Sequence, residues 1–318
     1  MSLTPFVQVL ARGPGRSRSL TQQEAGDAMR IMLSGQADRE AVGALLMLLR
    51  MKGETAEEIA GLAGAAREAI GQMPRSDLDW PSYAAGRSRG QPWFLLSAKL
   101  VARAGFRVLL HGWNGPDSAV RDGLARADIT TAHSPQDASD ALDRHGIVYL
   151  PLEHLSPALF DLLRLRDVLG LRSCMNTVSR MLNPGAAGAG VQGVFHPSYR
   201  LLQADAAQLM GWSALTVIKG GGGEFERHPG KPAKAFGLRA QASWQESFPA
   251  ENDATCRLAE GPEGFGTLND LWNGRYRDPF ATAIVLGTAT LAFDTLGVSD
   301  PRRCAENLWA DRLTPLAA

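Results

Sequence analysis

Between residues 20 and 70, apolar positions recur at helical spacing in three consecutive runs, each closed by a glycine. The second run, residues 38–52, carries Val42, Leu45, Leu46 and Leu49, and the third carries Ile59, Leu62, Ala66 and Ile70. Met47 and Met51 read as part of the same packing. The starts are marked too. Thr21 with Glu24, and Thr55 with Glu58, have the spacing of capping boxes, while Gly35, Gly53 and Gly71 stand where the helices stop. A further helix is expected over residues 4–11, ahead of the basic, glycine- and proline-broken segment RGPGRSRS.

Past residue 74 the pattern changes. Residues 74–92 read as a polar hinge. A helical run at 95–104 precedes the β-rich FRVLLHG, and a helix near 118–126 precedes HGIVYLP. ALTVIKG and KAFGL are further strand-like runs. Asp278-Pro279 and Asp300-Pro301 have the N-cap and first-turn chemistry that opens the last two long helices. The alternation predicts an α/β fold, with a small N-terminal helical domain (residues 1–75) and a larger α/β domain (76–318) around a central mixed, mainly parallel sheet.

Composition narrows the class without fixing it. The 318 residues, 45 % of them hydrophobic, describe an ordinary globular chain. Lysine plus arginine equals aspartate plus glutamate, yet the charge is uneven: residues 151–240 hold ten basic and six acidic side chains, residues 250–318 six basic and ten acidic. Cys174, Cys256 and Cys304 match no ligand spacing and suit a reducing compartment, with Cys174 a buried thiol. No signal peptide or membrane-length apolar run is seen, so a cytoplasmic location is expected. Walker loops, paired metal-ligand motifs and nucleophile elbows are absent from the sequence. GAGVQG at 188–193 fits a dinucleotide fingerprint but follows Asn-Pro-Gly-Ala-Ala instead of a strand, so that reading fails.

The segment LTQQEAGDAMRIMLSG…LLRMKGETAEEIAGLAGAAREAI resembles the N-terminal helical domain of the anthranilate phosphoribosyltransferase-like family, glycosyltransferase family 3. That resemblance implies a nucleoside phosphorylase/phosphoribosyltransferase-like fold, in which helices from about 155–172 join the helical domain. It also implies a set of landmarks. The glycine loop that cradles pyrophosphate corresponds to AAGRSRGQPWF, where only Gly86 and Gly90 remain and Arg87 and Arg89 are added. This stretch reads either as an arginine-based phosphate site or as an exposed hinge. LLHGWNGPDS keeps His111 and Gly112 of the family's His-Gly-Asn, with Trp113 in the Asn position, Asn114 one place later and Ser118 the nearby serine. Trp113 reads as a packing residue or a stacking platform.

Arg166, Leu169, Gly170 and Arg172 match the family's substrate-arginine pattern, which places Arg166 against the substrate carboxylate. NTVSRMLNP and VFHPSY, with His196 and Pro197, match as fold signatures. The acidic pair that helps bind magnesium is broken in VIKGGGGEFERHPG: Phe225 takes the Asp position, Glu226 the Glu position, and Glu224 lies beside them. No cofactor is therefore expected, with Mg²⁺ required only if transferase activity is retained.

The altered glycine loop, the broken acidic pair and the basic leader resemble the family's YbiB-type branch. That resemblance implies a homodimer, formed through the N-terminal helices, that binds DNA or RNA without sequence preference. The residues assigned to nucleic acid or phosphate are Arg12, Arg16, Arg18, Arg87, Arg89, Arg164, Arg166, Arg172, Arg180, Lys219, Lys231 and Lys234. The alternative is a divergent glycosyl or phosphoribosyl transferase whose residual cleft is formed by His111, Asn114, Ser118, Arg166, Arg172 and Glu226. An interaction scaffold is a third reading.

Overall fold

The computed structural model describes residues 2–13, 15–83, 90–115, 118–253 and 268–314. The chain opens with α1 (Thr4–Ala11), α2 (Gln22–Leu33), α3 (Arg39–Lys52) and α4 (Ala56–Ile70). Then follow β1 (Leu78–Ser82), α5 (Phe94–Arg103), β2 (Val108–Gly112), α6 (Ala119–Arg126), α7 (Pro135–His145) and β3 (Ile147–Pro151). Next come α8 (Leu152–Leu155), α9 (Pro157–Leu169), α10 (Met175–Arg180), β4 (Ala189–Val194), α11 (Tyr199–Leu209) and β5 (Ala214–Lys219). The last elements are β6 (Ala233–Arg239), β7 (Ala242–Phe248), α12 (Leu268–Trp272), α13 (Pro279–Thr295) and α14 (Pro301–Ala310).

The helical starts follow from their caps. Thr21 and Thr55 each accept a backbone N–H from the glutamate three residues on, and each glutamate reaches back to the cap, closing both capping boxes. Such a cap is worth about 1 kcal/mol. Glu58 does more. Fully buried, it accepts from Leu20 N and from Lys52 Nζ at 2.9 Å, so one satisfied carboxylate ties the basic leader, α3 and α4 together. Asp278 and Asp300 cap α13 and α14 as their sequence predicts. α2 crosses α4 at close range, because a Cβ at Gly61 would lie 2.1 Å from Gln22 O. Leu45, Leu46, Leu49, Ile59 and Leu62 are fully buried there, and Leu159 and Leu163 of α9 join the same apolar cluster. Met51 departs from expectation: it is 80 % exposed at the end of α3, outside the stripe that faces the core.

The sheet runs β3-β2-β1-β4-β5-β6-β7, parallel from β3 through β5, with β6 and β7 antiparallel at one edge. This is the expected mixed, mainly parallel arrangement. One sequence reading is corrected by it. The hinge proposed at 74–92 contains β1, the central strand of the parallel set. Leu-Asp-Trp-Pro-Ser lacks a strand's apolar look because Asp79 and Ser82 are buried polar residues facing others of their kind. GAGVQG, rejected as a dinucleotide fingerprint and assigned to no element in the sequence, is largely β4 itself. Its glycines are steric: a Cβ at Gly193 would lie 2.0 Å from the Glu224 carbonyl carbon, and one at Gly190 would lie 2.8 Å from Trp212. Among the described residues, no helix is long and apolar enough to cross a membrane.

Candidate anion-binding cleft

A cavity of about 430 Å³ opens between the helical layer and the carboxyl ends of β4 and β5. Ligands of open α/β sheets bind at this end of the strands. Arg50 and Glu54 reach it from α3 and the α3–α4 connection. Arg166, Arg172, Asn176 and Arg180 come from α9, α10 and the segment between them. Val194, Phe195, His196, Tyr199 and Gln203 come from the far side.

Four arginines thus share one concave space. Arg180 is 6 % exposed, and its Nη1 donates to Asn176 O at 2.9 Å and to Asn176 Oδ1. Burial depresses its pKa to about 10, with Glu224 opposing the shift and Arg172 adding to it, so it stays a cation at neutral pH. Arg166 lies 5.8 Å over the Trp113 ring, with its Nε 3.8 Å from Asp167 Oδ1. Its Nη1 is buried and has no hydrogen-bond partner among the described residues. Trp113 in turn packs edge-on against Phe160 with ring centroids 5.7 Å apart, so of its two readings the structure displays packing. Arg50 Nη1 donates to the Arg172 carbonyl at 2.5 Å, linking the helical wall to the loop after α9.

The other predicted cleft residues lie elsewhere. His111 is fully buried on β2, sharing a 2.8 Å hydrogen bond with Tyr83 Oη and standing 3.3 Å from Asp79 Oδ1. Asn114 is buried, and its amide donates to Ser82 Oγ and Glu224 Oε1, both at 3.1 Å. Ser118 is exposed and donates to Asp122 at 2.7 Å. Glu226 Oε2 accepts the Phe94 N–H at 3.0 Å, capping the start of α5. Of the residual transferase set, only Arg166 and Arg172 line the cavity.

The basic set assigned to phosphate contacts also divides. Arg166, Arg172 and Arg180 meet in the cavity. Arg18 is engaged: its guanidinium grips Glu24 at 2.6 and 2.7 Å and, with the Thr21 backbone, holds that carboxyl at about 2. Arg164 stands outside, 3.7 Å from Asp167. Arg12, Arg16, Lys219, Lys231 and Lys234 are exposed and away from the cavity wall. Arg87 and Arg89 lie outside the described residues, as does Cys256. Cys174 is buried, and burial pushes its thiol well above the ordinary range. Sequence reasoning missed Arg50, Glu54, Tyr199 and Gln203, which carry no local motif and meet only in the folded chain.

The segment that corresponds to the family's magnesium-binding pair, read as broken in the sequence, is buried. Phe225 is fully buried, 5.4 Å edge-on from Trp80. Glu224 and Glu226 are buried at 0 % and 2 % exposure, with one oxygen of each accepting from Asn114 and Phe94 respectively. Magnesium needs carboxylate oxygens open to substrate phosphate, and these two point into the protein.

Comparison with known proteins agrees with the fold. Residues 5–70 match the model of the glycosyl transferase family helical bundle domain. An anthranilate phosphoribosyltransferase of Caldivirga maquilingensis is 31 % identical over 69 % of this chain, a match spanning just under two thirds of that relative, 65 %. A second, from Streptomyces coelicolor, is 30 % identical over 74 % of this chain and 72 % of its own length. The Thermus thermophilus anthranilate phosphoribosyltransferase structure superposes with a TM-score of 0.79 over 98 % of this chain and 95 % of that one, at 22 % identity. The Saccharomyces cerevisiae enzyme in complex with PRPP and Mg gives 0.74 over 98 % and 93 %, at 15 % identity. On sequence and fold together, this chain belongs to the anthranilate phosphoribosyltransferase family.

Proposed function

We propose that the protein is a divergent pentosyl or phosphoribosyl transferase whose cleft holds small anionic ligands on arginine side chains. The observation that carries this reading is the bounded cavity in which the buried Arg180 and the unpartnered Nη1 of Arg166 face the same space. Forked guanidinium donors suit carboxylate and phosphate. The apolar flank of Val194 and Phe195 suits a ring, and a cleft between two lobes can hold a sugar phosphate against an attacking nitrogen. A magnesium dependence like that implied by the yeast complexes would require Glu224 and Glu226 to leave their internal partners. The donor phosphate is therefore assigned to the arginines.

Calorimetric titration of the full chain with phosphoribosyl pyrophosphate, with and without Mg²⁺, tests this. The expected result is binding that persists without the ion and weakens about tenfold or more in Arg180→Met, the cost of losing a hydrogen-bonded charge. A flat titration in both conditions overturns it.

Sequence-nonspecific nucleic-acid binding, as in the YbiB-type branch, is the second reading. It is favoured by the internal partners of Glu224 and Glu226 together with the exposed Arg12, Arg16, Lys219, Lys231 and Lys234. It requires binding of single- or double-stranded oligonucleotides that falls steeply and linearly in log–log form with added salt. No binding at low salt by the folded chain rejects it.

A further inference from the structure

Away from the cleft, two histidines meet at the outer edge of the sheet. The segment 130–132 runs beside β3: Ala132 N donates to the Tyr149 carbonyl at 2.8 Å, and Tyr149 N to the Thr130 carbonyl at 2.9 Å. That pairing carries His133 to the carboxyl end of β3, just ahead of Ser134, the N-cap of α7. Asp137 accepts the His133 N–H at 3.2 Å and fixes the backbone there. His154 stands on α8, the short turn that follows Pro151 and is anchored by the fully buried Leu152. Both backbones are therefore set by internal contacts, while both residues are exposed. Neither histidine lines the cavity described above.

His133 Nδ1 lies 3.0 Å from His154 Nε2, and the ring centroids are 4.6 Å apart with the planes at 81°. Rings meeting head-on along an N–H···N line would hold their centroids farther apart at the same nitrogen separation, so this pair is bent away from that line. It has the spacing of two imidazoles bound side by side on one ion: nitrogens about 2.1 Å from a shared centre and about 90° apart stand about 3.0 Å from each other, with centroids about 4.6 Å apart. Among the described residues no third His, Cys, Asp or Glu joins them in a metal-holding group, which leaves the other coordination positions to water.

We infer that His133 and His154 form a two-histidine chelate for a divalent transition-metal ion of the nickel or copper kind. The chelate goes beyond the transferase reading and stands if that reading fails. Imidazole nitrogen suits these ions, and a right angle between ligands belongs to square or octahedral coordination instead of the tetrahedral zinc arrangement. Each ligating nitrogen offers a lone pair, so His133 Nε2 and His154 Nδ1 carry the ring protons. Asp137, whose carboxyl is held below its ordinary value by Ser134 and the His133 backbone, adds a negative charge beside His133. A bound ion ties the segment before α7 to α8, the turn through which the chain passes from the sheet into α9.

Calorimetric titration of the untagged full chain with Ni²⁺, at a pH above the ordinary histidine range, tests the chelate. The expected result is a site that weakens about tenfold or more in His133→Ala and equally in His154→Ala, because either change leaves one ligand and no chelate. Electron paramagnetic resonance of the Cu²⁺-loaded parent should show coupling to two equatorial nitrogens, and either variant should lose that pattern. A parent that binds no Ni²⁺, or an affinity that either variant leaves unchanged, overturns the chelate and reduces the contact to a hydrogen bond between two rings.

Discussion

The two ends of the cleft region are made from opposite materials. At the arginine end, charged and polar side chains line open space, and some of their hydrogen-bonding capacity is unspent: Arg166 Nη1 and Gln203 Oε1 are buried without partners. At the other end, Glu224, Phe225 and Glu226 are turned inward and bound to the protein's own amides and rings. The first end lines a cavity and the second is packed as core.

Substitution can break that contrast. Phe225→Ala should have the largest effect, costing about 3–5 kcal/mol in denaturant unfolding, because it empties a fully enclosed aromatic position beside Trp80. A cost under about 1 kcal/mol would mean that this end is not core. Glu226→Ala should follow at about 2 kcal/mol, since it strips a charged acceptor from the buried start of α5. Arg166→Met, at the open end, should change stability by less than about 1 kcal/mol, because its buried Nη1 holds nothing in the chain.

The smallest effect concerns Glu54 and sharpens the contrast through pH. Its folded carboxyl titrates above the ordinary value, chiefly through burial. The protonated form is thus the favoured one in the folded state, and stability falls as pH rises through the folded pKa. Glu54→Gln should be more stable than the parent at about pH 7, and the gap should close below about pH 4, under the ordinary carboxylate range. Thermal unfolding of both proteins across that interval reads the difference, and a gap independent of pH would remove burial as the cause.

The helical lobe was the part most legible in the sequence, because its information is local: Thr21 with Glu24, Thr55 with Glu58 and the closing glycines act within one turn. β1 and β4 were not legible, because the forces that make them strands are not local. Asp79 belongs in β1 on account of His111, 30-odd residues away in sequence, and Gly193 belongs in β4 on account of the Glu224 backbone. The cleft was half legible. Arg166 and Arg172 sit in a spaced motif, whereas Glu54 lies in a connection and Gln203 in a plain helix, and only packing brings them to one cavity.

Phe225 also limits how this lineage can travel. A single change to aspartate would place a carboxylate in a fully buried position against the ring of Trp80. The route to an adjacent acidic pair at positions 225 and 226 therefore crosses a valley of poorly folded intermediates, unless Trp80 changes in the same step. Selection for a stably folded aspartate variant from point-mutant libraries should stall at this position, while libraries that vary residues 80 and 225 together have a path.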